Sequence, residues 1–292
     1  MAKVAVIGGS GINDTPLVQN LEWRTIDTGF TTKYQDGTIT GGKVEYQQGN
    51  DFIFIPRHGR NIRYGPSRTQ YAANLIAAKA LGARVVIATS AVGTYYGETH
   101  PVKSLVIPDD NVDESGRDKN LFGTGLVVHA NPKPPFSEGL REIIYRCAIR
   151  TDYGFGGVIN GGTYVTIPGD NFGTRAEGLK RRQYATIVGM TANPELDMAL
   201  QLGLHYAIVA FPVDKDLDAN HTHGTLKVMH ELSQPNMVPA YMTAVVQEAR
   251  TFAESPGQLP QLKGNIIPCK NPEIIGNEYL RRFAIELMRD YC

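Results

Sequence analysis

Short apolar runs alternate along the chain with longer segments whose apolar residues recur at helical spacing. The short runs are rich in β-branched residues and end at glycine, proline or polar clusters, which is typical of buried strands. They predict strands over residues 3–7, 51–56, 84–88, 105–108, 185–190 and 205–213, with further strands broken by a bulge or tight turn over 157–168. The helical spacing predicts helices over residues 67–81, 137–150, 174–183, 194–202, 224–233, 241–254 and 278–291.

This alternation indicates an α/β fold with a mixed, largely parallel central β-sheet flanked by helices. Two polar stretches, 109–131 and 255–272, are rich in turn-forming residues, and we interpret them as long loops or insertions rather than domain boundaries. The sequence contains no internal repeat. It therefore predicts a single domain over residues 1–292.

Composition narrows the class of partner. The 292 residues are 42% hydrophobic and 20% charged, and 29 basic side chains balance 29 acidic ones, so nothing favours nucleic acid or an anionic membrane as partner. No apolar run approaches the roughly 18 residues of a membrane helix. We expect no signal peptide, because the N-terminus enters a strand directly. The three widely spaced cysteines, Cys147, Cys269 and Cys292, lack metal spacing and indicate a reducing, cytoplasmic location without disulfides.

Three predicted loops follow strands and carry groups suited to an anion. The glycine-rich loop 8–11 offers backbone N–H groups and the Ser10 hydroxyl, an arrangement that cradles phosphates. Loop 57–60 carries Arg57, which can contact phosphate through two N–H groups, beside His58. A third loop supplies Ser90 and the backbone of Ala91. Ordinary tight turns and solvated charges are the alternative interpretation of each loop.

Two carboxylates, Asp214 and Asp216, stand at the end of the predicted strand 205–213. Strand side chains repeat every second residue, so the two carboxylates are expected on one face. Open α/β sheets bind ligands at the carboxyl ends of their strands. Such a pair could hold a group that both donates and accepts protons, such as the N6/N7 edge of an adenine. Solvated loop acids are the alternative.

Several sequence blocks occur together in one order that is known from a protein family. They extend from about residue 3 to about residue 235 and include Val6-Ile7-Gly8-Gly9-Ser10-Gly11-Ile12, Pro56-Arg57-His58-Gly59-Arg60, Ala91-Val92-Gly93, Gly162-Thr163-Tyr164-Val165-Thr166-Ile167, Thr174-Arg175-Ala176-Glu177, Met190-Thr191, Pro194-Glu195 and Asp214-Lys215-Asp216. On these blocks the chain resembles the trimeric purine nucleoside phosphorylases, and in particular their 5′-methylthioadenosine phosphorylase branch.

The resemblance implies a nucleoside phosphorylase fold and a homotrimer, with a hexamer as the alternative. It implies attack of inorganic phosphate on C1′ of a purine nucleoside, with phosphate as co-substrate and no cofactor or metal. The implied phosphate-binding residues are Ser10, Arg57, His58, Ser90, Ala91 and Thr191. The implied nucleoside-binding residues are Phe172, Met190, Asp214, Asp216 and, across a subunit boundary, His129.

The chemistry of this reaction assigns roles to the implied catalytic residues, Asp214, Asp216 and His58. Breaking the N-glycosidic bond builds positive charge on the sugar, which phosphate stabilises, and negative charge on the base. An acid that protonates N7 improves the leaving group, and we assign this step to Asp214 with Asp216 as its partner, although a coupled pair titrates jointly. An aspartate suits a 6-aminopurine, so we expect 5′-methylthioadenosine or a related 5′-modified adenosine as substrate.

The chain departs from the family pattern around the expected ribose. Asp170 replaces a proline, Gly173 and Gly189 replace residues with polar side chains, and Val213 and Ile62 replace a threonine and a histidine. We expect these changes to enlarge or reshape the ribose pocket. They keep open a different specificity for adenosine, inosine or guanosine, or a catalytically weak homologue that only binds nucleosides.

Three other interpretations are weaker. A hydrolase or base-transferring enzyme would not need the retained Arg57 and His58. A dinucleotide-dependent dehydrogenase fits poorly, since Asp14 stands where the third glycine of the fingerprint belongs. His221 and His223 have spacing compatible with a metal, but helix-cap or surface roles are the simpler interpretation.

Overall fold

The computed structural model describes residues 3–9, 17–123, 125–218, 224–268 and 270–292. Ser10, His221, His223 and Cys269 lie outside the described residues. The strands are β1 (Lys3–Gly8), β2 (Trp23–Lys33), β3 (Ile39–Gln48), β4 (Phe52–Pro56), β5 (Ala83–Thr94), β6 (Leu105–Ile107), β7 (Asp110–Asp113), β8 (Val127–Val128), β9 (Val158–Asn160), β10 (Thr163–Thr166), β11 (Ile187–Gly189), β12 (His205–Lys215) and β13 (Ile266–Ile267). The α-helices are α1 (Tyr71–Ala80), α2 (Glu138–Arg150), α3 (Arg175–Arg181), α4 (Glu195–Gln201), α5 (Thr225–Leu232), α6 (Val238–Glu254) and α7 (Glu278–Tyr291).

Within the described ranges, eleven strands form one mixed sheet, which confirms the predicted fold class. Its path runs β2-β3-β4-β1-β5-β11-β10-β7, and β12, β6 and β9 extend it from the other edge of β5. β1, β4, β5 and β12 are parallel, whereas β11 runs antiparallel to β5. The long central strand β5 therefore has three neighbours: β12 along one edge, and β1 and then β11 along the other.

Side chains of the sheet alternate between two hydrophobic layers, as strand geometry requires. In β1, Ala5 and Ile7 face a layer that includes buried residues of α1, α4 and α7. Val4 and Val6 face the opposite layer, which includes buried residues of α2 and α6. No helix among the described residues is long and apolar enough to span a membrane.

Most predicted elements are confirmed within a few residues of their predicted bounds, and the larger differences concern three regions. The predicted strand 84–88 continues to Thr94, so the segment 89–93 belongs to β5 and is not a loop. The strands β2 and β3 were not predicted, because their many exposed polar positions hide the alternation. The stretches 109–131 and 255–272 are not loops throughout: β8 and β13 pair with each other in a small separate sheet, and β7 joins the main sheet.

Candidate active site

A cavity of about 240 Å³ is lined by residues 89–93 of β5, by residues of β11 and β12, and by residues that follow β1 and β4. On the edge of β5 opposite β12, β1 pairs with β5 as far as Ala88, and β11 pairs again from Gly93. Residues 89–92 therefore have no strand beside them on this edge within the described part of the chain. In this gap Thr89 accepts hydrogen bonds from Arg57 and Gly9, and residues 90–92 line the cavity. Nine of the predicted site residues line this cavity, namely Arg57, His58, Ser90, Ala91, Phe172, Met190, Thr191, Asp214 and Asp216.

Arg57 is held rigidly at the base of the cavity, with 1% of its surface exposed. Its Nε and Nη2 each donate to a carboxylate oxygen of Glu195, both at 2.9 Å. Nη1 donates to the carbonyl of Thr89 at 2.7 Å, and Nη2 donates also to the carbonyl of Ile7. Burial would lower the pKa of the guanidinium, but the carboxylate of Glu195 outweighs this and raises the pKa above its ordinary value. Of the five N–H groups of an arginine, one on Nη1 remains for an anion after these contacts within the described residues.

His58 is a neutral acceptor in this environment. Its Nδ1 lies 2.9 Å from the carbonyl of Tyr64 and 3.1 Å from the Thr69 hydroxyl, which itself donates to the carbonyl of Gly65. Both neighbours accept hydrogen bonds, so the hydrogen-bond network assigns the proton to Nδ1. Burial, reinforced by the charge of Arg57, lowers the pKa of His58 to about 4. Nε2 is therefore left with a lone pair, which can accept a hydrogen bond from a protonated phosphate oxygen.

Two hydroxyl groups, of Ser90 and Thr191, complete the phosphate side of the cavity. Their oxygens lie 3.4 Å apart, and both residues are buried. On the same side, the backbone N–H of Gly9 donates to the Thr89 hydroxyl, so the glycine-rich loop begins beside β5. The hydroxyls of Ser90 and Thr191 can donate to one space in the cavity, as an oxyanion requires.

Asp214 and Asp216 line the same cavity, beside Gly93 of β5. Asp214 belongs to β12 and pairs with Gly93, so the predicted end of this strand at Val213 was two residues early. A Cβ on Gly93 would meet the Asp214 carboxylate at 2.9 Å and the Asp216 Cβ at 3.3 Å. The Asp214 carboxylate and the Asp216 Cβ therefore both approach Gly93, whereas a carboxylate oxygen of Asp216 lies against Gly178 of α3. Asp214 is 9% exposed, and Asp216 is half-buried.

The departures from the family pattern do not all enlarge the pocket. The hydroxyl of Tyr164 occupies the space that a side chain at Gly189 would need, so of the two expected effects, enlargement or reshaping, the glycine does not produce enlargement there. A side chain at Gly173 would meet the guanidinium of Arg181 at 2.9 Å. Asp170 accepts hydrogen bonds from the backbone and hydroxyl of Ser67, at 3.1 and 3.0 Å, and so ties two loops beside the cavity.

The sequence missed several residues of the site. Glu195 was recognised only as part of a sequence block, without a role, and Tyr164 likewise. Met229, Leu232 and Val238, from α5 and the start of α6, form an apolar part of the cavity wall. His129 does not line the cavity of its own chain; its backbone N–H donates to Asn265 in the loop before β13.

Comparison with known proteins agrees with this geometry. The profile of the phosphorylase superfamily matches residues 3–246. The chain is 36% identical over 221 residues to the S-methyl-5′-thioadenosine phosphorylase of Anopheles gambiae, covering 73% of this chain and 76% of that protein. It is 37% identical over 219 residues to the enzyme of the same name from Hyperthermus butylicus, covering 74% of this chain and 77% of that protein.

Solved structures give the same result. A methylthioadenosine phosphorylase from an antarctic soil metagenomic library superposes with a TM-score of 0.75 at 27% identity, covering 97% of this chain and 98% of that one. A double mutant of the adenosine/methylthioadenosine phosphorylase from Schistosoma mansoni, in complex with adenine, superposes with a TM-score of 0.73 at 26% identity, covering 91% of this chain and 96% of that one. These matches confirm the resemblance drawn from the sequence blocks, and this chain belongs to the phosphorylase superfamily.

Proposed function

We propose that this protein is a pentosyltransferase that cleaves 5′-methylthioadenosine, or a related 5′-modified adenosine, by phosphorolysis. The observation that carries the proposal is one cavity that is lined both by groups suited to an anion and by a pair of aspartates. Relatives named S-methyl-5′-thioadenosine phosphorylase support the same activity. The apolar wall formed by Met229, Leu232 and Val238 supports an apolar substituent at the 5′ position.

The reaction exchanges one bond at C1′ for another. Phosphate, held by Arg57, His58 and the hydroxyls of Ser90 and Thr191, forms a bond from its oxygen to C1′. The C1′–N9 bond breaks, and its electron pair leaves with the base. Asp214 gives a proton to N7, so that neutral adenine departs and a 5-modified ribose 1-phosphate remains. Asp214 receives this role because it is the more buried carboxyl.

The remaining residues of the proposal orient the substrate. Asp216 is assigned to the base edge as the partner of Asp214. Phe172 lies at the cavity and is assigned to the face of the base or sugar, and Met190 is assigned to the ribose. Ser10 and the backbone of Ala91 belong to the proposed phosphate site. The proposal includes no cofactor or metal, and it places the enzyme in cytoplasmic purine salvage.

The test measures base release from methylthioadenosine, adenosine, 5′-deoxyadenosine, inosine and guanosine, with and without phosphate. We expect adenine only from the 6-aminopurine nucleosides, and only with phosphate. Asp214→Asn should lower kcat by about 100-fold or more, since it removes a general acid, whereas Asp152→Asn, on a loop outside the cavity, should not. Equal rates without phosphate would contradict phosphorolysis, and cleavage of inosine alone would contradict the 6-amino specificity.

We also propose a homotrimer in which His129 reaches the nucleoside of a neighbouring subunit. The position of His129 outside its own cavity supports this arrangement. Sedimentation should give the mass of a trimer. If His129→Ala and Asp214→Asn are each inactive, their co-expression should restore part of the activity, because some sites then receive both intact residues. Full activity of His129→Ala, or a monomer that remains active, would contradict the proposal.

A further inference from the structure

Gly189 occupies a position where no side chain fits. A Cβ built there would overlap the hydroxyl of Tyr164 and come within 2.5 Å of its Cζ and 3.1 Å of a Val92 methyl. Heavy atoms do not approach a Cβ so closely, so any side chain at this position would displace the tyrosine. The glycine therefore has a definite steric role beside Met190, at the edge of the cavity.

The strand order explains why this space is needed. β11 lies between β10 and β5, and neighbouring strands are about 4.8 Å apart. Tyr164 is on β10, where it pairs with Ile187 two residues before Gly189, and its hydroxyl lies 3.0 Å from the Ser90 hydroxyl on β5. The tyrosine thus extends across the intervening strand. The tyrosine ring can lie there because Gly189, at the end of β11, has no side chain.

The direction of the hydrogen bond follows from acidity and from the other partners. A phenol is a stronger acid than an aliphatic alcohol, so Tyr164 is the better donor and Ser90 the acceptor. Other acceptors for the Ser90 hydroxyl, namely the carbonyl of Ala91 and the hydroxyl of Thr191, lie at 3.4 Å. These contacts are long for O–H···O bonds. The proton of Ser90 is therefore available to an anion in the cavity.

We propose that Tyr164 is a positioning residue of the phosphate site, which fixes the Ser90 hydroxyl as a donor to phosphate, and that Gly189 is required because it admits the tyrosine. The inference rests on the proposed function, since it assumes that Ser90 binds phosphate. Tyr164 itself is fully buried and does not line the cavity. It acts on the reaction through Ser90, in place of the side chain that the family pattern has at position 189.

The test uses Tyr164→Phe, which removes the hydroxyl and keeps the ring. The matched control is Tyr241→Phe, because the Tyr241 hydroxyl is also fully buried and donates to the carbonyl of Ile144 in the opposite hydrophobic layer. We expect Tyr164→Phe to raise KM for phosphate by about 2- to 10-fold, the equivalent of one neutral hydrogen bond. KM for the nucleoside should change by less than about 2-fold. The control should lower Tm without shifting either KM.

A second measurement does not need turnover. Inorganic phosphate should raise the Tm of the wild-type protein through mass action, and this rise should be smaller in Tyr164→Phe but retained in Tyr241→Phe. If phosphate does not stabilise the wild type, the proposed function fails together with this inference. If phosphate stabilises the wild type and both variants equally, the inference alone is overturned. An equal rise of both KM values would also overturn it, because that result indicates a general structural loss.

Gly189→Ala provides an independent variant. We expect it to displace Tyr164 and to weaken phosphate binding at least as much as Tyr164→Phe. Two variants that act through one hydroxyl are not additive, so the double variant should bind phosphate no more weakly than Gly189→Ala alone. Fully additive effects on KM for phosphate would show that Gly189 acts by another route and would overturn its proposed role.

Discussion

At the scale of single residues, the buried ion pair of Arg57 and Glu195 organises the phosphate side of the cavity. The two residues are 138 positions apart in sequence and are 1% and 0% exposed. Glu195 also accepts a hydrogen bond from the Tyr206 hydroxyl, at 2.9 Å. Burying the two charges costs desolvation free energy, which offsets their attraction. We therefore interpret the main effect of the pair as fixing the geometry of the guanidinium, rather than as a net gain in the free energy of unfolding.

Removing the charge of Glu195 should therefore be strongly destabilising. Glu195→Gln leaves the Arg57 cation buried without a counter-charge, and we expect a loss of about 3 kcal/mol in the free energy of unfolding. Urea unfolding without phosphate measures this loss. The control is Glu248→Gln, which removes a carboxylate paired with Arg150 at the surface and should leave the midpoint nearly unchanged. Equal midpoints for the two variants would contradict a structural role for the buried pair.

The depressed pKa of His58 predicts a pH dependence of stability. Its pKa is about 4 in the folded protein and about 6.5 when unfolded, so below about pH 6.5 the unfolded chain binds a proton that the folded chain does not. Stability is then lost as pH falls from about 6.5 towards 4. Between about pH 7.5 and about pH 5.5 the wild type should lose about 1 kcal/mol more than His58→Gln.

The same urea experiment supplies the control. His230→Gln changes an exposed histidine on α5 and should keep the pH dependence of the wild type. Identical pH dependence in the wild type and His58→Gln would show that this imidazole is not held neutral by its surroundings.

The sequence predicted the members of the site better than their contacts. Arg57, His58 and the two aspartates follow apolar runs, and their residue types suggest the chemistry. Glu195 and Tyr164 were not assigned roles, because their roles depend on partners that only the fold brings near. Gly189 was interpreted as a loss of side-chain volume that enlarges or reshapes the pocket, whereas the side chain of Tyr164, from another strand, fills that space.

At the scale of elements, the site disturbs the pattern from which strands are predicted. Thr89 and Ser90 are buried polar residues in the middle of β5. Because they interrupt the apolar run, the predicted strand ended at Ala88. They are tolerated in the sheet because one edge of β5 is open to the cavity at this point. The edge strand β2 was missed for the opposite reason, since most of its polar side chains face solvent.

Asp170 links two loops through its hydrogen bonds to Ser67, and the effect of this link can be tested. Asp170 joins the loop between β10 and α3 to the loop between β4 and α1, and it lies so close to Gly65 that a Cβ there would meet its carboxylate at 2.8 Å. We expect Asp170→Ala to release both loops and to raise KM for the nucleoside by about 2- to 10-fold, the range of a hydrogen bond that is partly exposed to water.

The control for Asp170→Ala is Asp152→Ala, because Asp152 accepts a hydrogen bond from Gly154 within its own loop and lies outside the cavity lining. It should leave the steady-state constants unchanged. An unchanged KM in Asp170→Ala would show that the loops are held by other contacts.

At the scale of the whole molecule, the C-terminal helix α7 packs into the same hydrophobic layer as α1 and α4. The family profile ends at residue 246, and the sequence resemblance weakens near residue 235. Yet Leu280, Phe283 and Leu287 of α7 are buried in the layer that also holds α1 and α4. This packing supports the single domain predicted from the sequence, and it makes a cooperative unfolding transition the expected behaviour.

Phe283→Ala tests this cooperativity. The side chain is 1% exposed, so its loss should lower the free energy of unfolding by about 3–5 kcal/mol. Far-UV circular dichroism follows all helices, and fluorescence follows Trp23, the only tryptophan, on the edge strand β2, where Thr28 accepts a hydrogen bond from Asn277 just before α7. In a single domain, both midpoints should move together. Ile285→Ala, on the same helix but 49% exposed, should move them little. A Trp23 transition that stays at the wild-type midpoint would instead place α7 in a separate folding unit, because the β2 edge would then keep its stability without the helix.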